Sequence, residues 1–187
     1  PQKPVAAGDL AGLLPDASTV SAIMGSSLTV NGPNPATTLA GDTVDPAKCA
    51  GVTAAGTAQA YGPTNPSGIA GLSFTGSDPG VTVTEYVLGY PDADHPATAL
   101  SDQLNVWNPC ARTTANLTAA GQPPAPVGIG EVSVPDGRGA ADLTMGAKAC
   151  RHVLGAASNV LIDVLVCGPN ATQHANDVIA KITEKIH

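Results

Sequence analysis

The chain has 187 residues, enough for one well-buried core and short for two. Its hydrophobic share of 43% excludes wholesale disorder, but aromatics reach only 3% and charged residues 12%, so the core must be built largely from small side chains. Fifteen acidic against eight basic residues give a formal charge of -7 with no run of Lys or Arg, which argues against nucleic acid and anionic membrane surfaces as partners, since both demand clustered cations.

The first eight residues, rich in Pro, Ala and Gly, read as the remnant of a linker, leaving one domain over 9–187. The abrupt start Pro1-Gln2-Lys3-Pro4 carries no signal peptide and reads as a mature or trimmed ectodomain. Asp9 to Leu14 predicts a short helical turn stopped by Pro15. Asp16 then caps a helix over Ala17 to Gly25, with Val20, Ile23 and Met24 on one face and Gly25 as C-cap. Asn31 to Asp45 holds two Pro and two Gly and predicts a loop. Val52 to Tyr61, rich in Ala and Thr, fits a strand or a helix equally well.

Gly68–Thr75 and Val81–Tyr90 predict strands. In the second, Val81, Val83, Glu85, Val87 and Gly89 share one face, and Thr82, Thr84, Tyr86, Leu88 and Tyr90 share the other. Asp92 to Val106 predicts a helix capped by Asp94, with Pro96 in its first turn and a stripe of Ala99, Leu100, Gln103, Leu104 and Trp107. Strands are expected at Arg112–Thr118 and Val127–Val134, with a loop at Gly121–Pro126 between them. Leu143–Leu154 and Val160–Cys167 then read as two strands joined by Gly155 to Asn159. An amphipathic helix carrying Ala175, Val178, Ile179, Ile182 and Ile186 closes the chain. Strands followed by a helix without regular βαβ alternation give an α+β fold with a central, mainly antiparallel sheet flanked by helices.

Cys49, Cys110, Cys150 and Cys167 contain no close C-x2-C pair, so disulfides are expected rather than a zinc site. Four cysteines allow three pairings. A hairpin centred on Ser158-Asn159 sets Cys150 opposite Cys167, within bridging range.

Several features in order resemble the PknH-like extracellular sensor domain family of mycobacteria. They are Leu13-Leu14, Ile23-Met24-Gly25, Cys49, and Trp107-Asn108-Pro109-Cys110 after a helix. Arg151 beside Cys150, and Asn159-Val160-Leu161-Ile162-Asp163-Val164 leading to Cys167, complete the set. The resemblance runs from about Leu10 to Ile186. It implies disulfides Cys49–Cys110 and Cys150–Cys167, an antiparallel sheet flanked by helices, and a wide cleft as ligand site. It also implies an extracytoplasmic place in the cell envelope, and the chain reads best as a stand-alone, lipid-anchored member.

Catalytic patterns are poor. Gly71-Leu72-Ser73-Phe74-Thr75-Gly76 has the wrong spacing for a nucleophile elbow. Asp92, Asp94 and His95 read as a helix start rather than a metal site, and a carboxylate pair of Glu85 with Glu131 needs the fold to assemble it. The expectation is therefore a non-catalytic, monomeric binding or sensor domain without cofactor or metal, taking a small envelope-derived ligand. A protein–protein interaction module is the alternative, and a hydrolase of envelope glycan or lipid a more distant one. Tyr86 and Tyr90, four residues apart on one strand face, with Arg112, are the candidate ligand-binding residues.

Overall fold

The computed structural model describes residues 3–187; Pro1 and Gln2, in the stretch read as a linker, lie outside the described residues. Nine strands form one sheet: β1 (Leu28–Val30), β2 (Thr43–Asp45), β3 (Gly68–Gly76), β4 (Thr82–Gly89), β5 (Thr113–Thr118), β6 (Ala125–Ser133), β7 (Gly139–Met145), β8 (Lys148–Ala157) and β9 (Val160–Cys167). Their order is β1-β3-β4-β9-β8-β7-β6-β5-β2, and every neighbouring pair is antiparallel. The helices are α1 (Ala17–Met24), α2 (Ala50–Thr53), α3 (Ala58–Tyr61), α4 (Asp94–Cys110) and α5 (Ala171–Thr183).

Strand period two sorts the side chains onto two faces, each with its own core. The first face carries Phe74, Val83, Val87, Ile162 and Val164 under α1, α5 and a 3-10 turn at Ala7–Leu13. Val178, Ile179 and Ile182 of α5 are fully buried there, each contributing about 1.5–3 kcal/mol by burial. The second face carries Leu88, Leu143, Leu154 and Leu161 under α2, α3 and α4, with Tyr61 and Trp107 as the largest side chains.

Helix α1 is capped as its sequence predicts: Asp16 accepts from the Thr19 N–H at 2.9 Å, and Gly25 takes the left-handed φ of 66° that ends the helix. Helix α4 differs. Asp94 lies inside its first turn, and the carboxylate of Asp92 accepts from the N–H groups of Asp94 (3.0 Å) and His95 (3.2 Å). The ambiguous stretch 52–61 forms no strand: it holds the end of one single-turn helix, α2, and the whole of another, α3. Gly51 packs so tightly under α4 that a Cβ there would sit 1.8 Å from Gln103 Oε1.

Leu143–Leu154, read as one strand, is the end of β7 and most of β8. The two are joined by a tight turn in which Gly146 has φ 61°, and Met145 pairs with Lys148. The following hairpin turns at Ser158-Asn159 as expected and sets Cys150 directly against Cys167. Both disulfides form: Cys49–Cys110 with Cα atoms 5.8 Å apart, tying α2's approach to the end of α4, and Cys150–Cys167 at 4.0 Å across β8 and β9. The domain also begins earlier than residue 9. The Val5 N–H donates to Asn159 Oδ1 at 2.7 Å, and the Val5 carbonyl accepts from Asn159 Nδ2 at 3.0 Å.

Candidate functional site

On the second face the helices do not cover the whole sheet. Beyond α2 the strands β3, β4 and β9 lie open in two cross-strand rows, Ser73–Thr84–Leu165 and Thr75–Thr82–Cys167. These residues floor a cleft of about 280 Å³. Thr53, Ala54 and Ala55 form one wall, Leu117, Met145 and Lys148 the opposite one, and Asn31, Ala40 and Asp42 the lip. The floor is hydroxyl-rich and uncharged. Lys148 is the single cation of the lining, and partial burial pushes the Asp42 carboxyl above its usual value.

The wall is fixed by a buried polar pair. His152 on β8 and Asp163 on β9 are diagonal neighbours on the second face and both fully buried. His152 Nδ1 lies 2.8 Å from the Val52 carbonyl, so that nitrogen carries the proton, and Nε2 is hydrogen-bonded to Asp163 Oδ1. Asp163 Oδ2 accepts from the Gly56 N–H at 2.9 Å. Trp107 of α4 closes over the imidazole with ring centroids 4.9 Å apart. Burial works against the imidazolium, but the charge and hydrogen bond of Asp163, helped by the Val52 carbonyl, outweigh it and hold His152 above its ordinary value. Burial, and then the charge of Asp163, push the nearby Tyr61 hydroxyl well up.

The three residues singled out from the sequence do not meet in one place. Tyr86 is only 7% exposed; its ring lies between Gly56 and Gly71, where a Cβ would come within 2.4 and 2.5 Å of ring atoms, and one edge borders the cleft. Tyr90 is 2% exposed and bonds its hydroxyl to Thr64 Oγ1 at 2.7 Å, so it is a core residue. Thr64 borders a separate, shallow groove of about 550 Å³ along α4. Arg112 stands in solvent at the start of β5 and grips Glu131 with two hydrogen bonds of 2.9 and 3.1 Å. The tyrosines are buried because the face they share meets α2 and α3, whose contact with the sheet is invisible in an Ala/Thr-rich stretch.

Glu85 and Glu131 form no pair either. Glu85 is buried on the first face, whereas Glu131 is exposed on β6. Asp92 holds His95 Nδ1 at 2.7 Å on the surface, and among the described residues no three His, Cys, Asp or Glu side chains converge as a metal site. Sequence reasoning passed over His152 and Asp163, although a signal existed. The hairpin register that opposes Cys150 to Cys167 also places His152 one diagonal step from Asp163, the lone charge in an apolar strand.

The class is thus a disulfide-stapled α+β domain with an open cleft on the helix-bearing second face of an antiparallel sheet. The model of the PknH-like extracellular domain family matches residues 5–185, and the chain belongs to that family. Serine/threonine-protein kinase PknH of Mycobacterium bovis (strain ATCC BAA-935 / AF2122/97) is 29% identical over 207 residues, covering 100% of this chain and 32% of the kinase. PknH of Mycobacterium tuberculosis (strain ATCC 25618 / H37Rv) is likewise 29% identical, covering 31% of its length. The chain therefore spans about a third of the curated relatives it matches. The crystal structure of the extracellular domain of PknH from M. tuberculosis superposes with a TM-score of 0.88 at 27% identity, over 100% of this chain and 98% of that one. The protein is an extracellular, sensor-type domain.

Proposed function

We propose that this domain is a non-catalytic receptor of the cell envelope that binds a small, neutral, hydroxyl-bearing ligand in the cleft over β3, β4 and β9. The observation that carries the reading is the cleft floor. Ser73, Thr75, Thr82 and Thr84 supply four donor-and-acceptor hydroxyls on rigid neighbouring strands, with the apolar Leu165 and the edge of Tyr86 alongside. Such a surface suits a sugar or polyol, which presents hydroxyls along its rim and C–H groups on its face. In this reading the domain works at the outer face of the membrane, held by a lipid anchor in the full-length protein; labelling the expressed protein with a radioactive fatty acid tests that part.

Thermal denaturation of the oxidised domain against neutral saccharides (glucose, mannose, arabinose and their short oligomers) at millimolar concentration tests the ligand class. A ligand that binds only the native state raises the melting temperature in proportion to RT ln(1 + [L]/Kd). At least one saccharide should do so, and Thr84→Val should abolish the shift without lowering the unliganded melting temperature. A panel without any shift, or a shift unchanged in Thr84→Val, removes the cleft as the site of such a ligand.

A further inference from the structure

We propose that the His152–Asp163 pair is the positioning element of the cleft, a clasp that holds both ends of the wall segment Val52–Gly56 against the sheet. The inference rests on the reading of the cleft as the ligand site. It adds which residues, none of them in the lining, set the geometry of that site.

Little apolar packing holds the middle of the wall. Between Val52 and Gly56 lie Thr53, Ala54 and Ala55, whose small side chains leave little apolar surface to bury. The segment is instead tied at its two ends by one continuous polar chain. It runs from the Val52 carbonyl through His152 and Asp163 to the Gly56 N–H. Gly56 has φ 63° and rests on the Tyr86 ring, so no side chain can replace the hydrogen bond as an anchor there.

The lip hangs on the same point. The Ala40 N–H donates to the Gly56 carbonyl at 2.8 Å, and Thr57 Oγ1 donates to the Asp42 carbonyl at 2.9 Å. Releasing Gly56 thus frees wall and lip together, while the strands of the floor keep their own ladder. Because Nδ1 must donate to Val52, a single proton lies between Nε2 and Asp163. Losing it turns a lone pair toward the carboxylate and opens the clasp. The other titratable groups facing the pair are the hydroxyls of Tyr61 from α3 and Tyr86 from β4. Burial raises both, so neither contributes a transition between pH 6 and pH 9.

Hydrogen exchange of the oxidised domain, corrected for intrinsic rates and followed by mass spectrometry from about pH 6 to pH 9, tests the clasp. In wild type, protection over 53–57 and 40–42 should fall toward alkaline pH, while that of α5 does not. Asp163→Ala should lose at least about tenfold of that protection at neutral pH. Asp163→Asn should keep it, because the amide donates to Nε2 and its carbonyl still accepts from Gly56, and its profile should be flat with pH. Protection over 53–57 unchanged in Asp163→Ala, or lowered there no further than the measured loss of global stability accounts for, overturns the clasp. If Asp163→Ala does not fold, the Asp163→Asn profile decides: a profile parallel to wild type overturns it. The saccharide titration separates the two readings. Binding lost in Thr84→Val but retained in a loosened Asp163→Ala overturns the clasp alone. Binding unaffected in both overturns the cleft.

Discussion

The two faces of the sheet bury their acidic residues in opposite ways. On the first face, Glu85 sits in an apolar core under α1 and α5, and among the described residues neither carboxyl oxygen finds a hydrogen-bond partner. Burial pushes it up to about 9, against the pull of Lys185 and with a small push from Asp16, so it is buried as the neutral acid. On the second face, Asp163 is just as buried but has two partners, His152 and the Gly56 N–H. One carboxyl is accommodated by keeping its proton and the other by acquiring a counter-group. The neutral acid gives its core nothing specific, whereas the paired one pins a particular segment in a particular place.

Two changes strain this contrast in opposite directions. Asp163→Ala leaves His152 without its counter-charge and Gly56 without its acceptor, and removing one member of a buried pair costs about 3–5 kcal/mol. Denaturant unfolding of the oxidised protein should show a loss of that size, and a loss below about 1 kcal/mol would mean that the pair is not a structural link. Glu85→Gln should act in the opposite direction. The unfolded-state carboxyl ionises above about 4.5 and the folded one only near 9, so stability falls as pH rises between those values. The amide has no such linkage, and the variant should gain about 3 kcal/mol at pH 7, shrinking toward nothing near pH 4. A gain of equal size at both pH values would point to packing instead.

The pH profile separates the two faces further. His152 is held above its ordinary value, so its contribution is fully present below about 6.5 and is lost as pH rises through its higher folded value. Both faces therefore weaken toward alkaline pH, but from different starting points. Wild type should lose stability from about pH 4.5 upward, whereas Glu85→Gln should stay flat until pH passes 6.5. A Glu85→Gln profile that still slopes between pH 5 and pH 6 would mean that another group dominates.

What was legible in the sequence follows the same division. Period-two alternation in 81–90 and the amphipathic spacing of 175–186 placed a strand and a helix of the first face, because both have clear periods. The Cys150–Cys167 staple followed from a hairpin turn. The second face was harder. Besides α4, its cover comes from α2 and α3, four residues each, which overlap an Ala/Thr stretch without a period. Without that cover, Tyr86 and Tyr90 read as exposed groove residues. Arg112 read as a ligand cation because its partner Glu131 arrives from a neighbouring strand, nineteen residues on. Local pattern reports which way a side chain points along its own element; what lands on top of it depends on contacts far apart in the chain.

The two tyrosines give the smallest and most discriminating test of the second face. Tyr90→Phe removes a hydroxyl bonded to Thr64 at 2.7 Å and should cost about 1 kcal/mol as one neutral hydrogen bond is lost. Its ring does not border the cleft, so saccharide binding should be unchanged. Tyr86→Phe removes a hydroxyl that has no hydrogen bond among the described residues, while the ring stays between Gly56 and Gly71. Stability should change little, yet any ligand seated on Thr84 and Leu165 meets that edge, and its binding should weaken. Arg112→Ala should alter neither quantity, because the guanidinium is solvent-exposed and engaged with Glu131. The expected pattern is stability without binding for Tyr90, binding without stability for Tyr86, and neither for Arg112. If binding instead follows Tyr90 or Arg112, the ligand sits on the groove along α4 or on the rim of β5, and the open floor of β3, β4 and β9 is only surface.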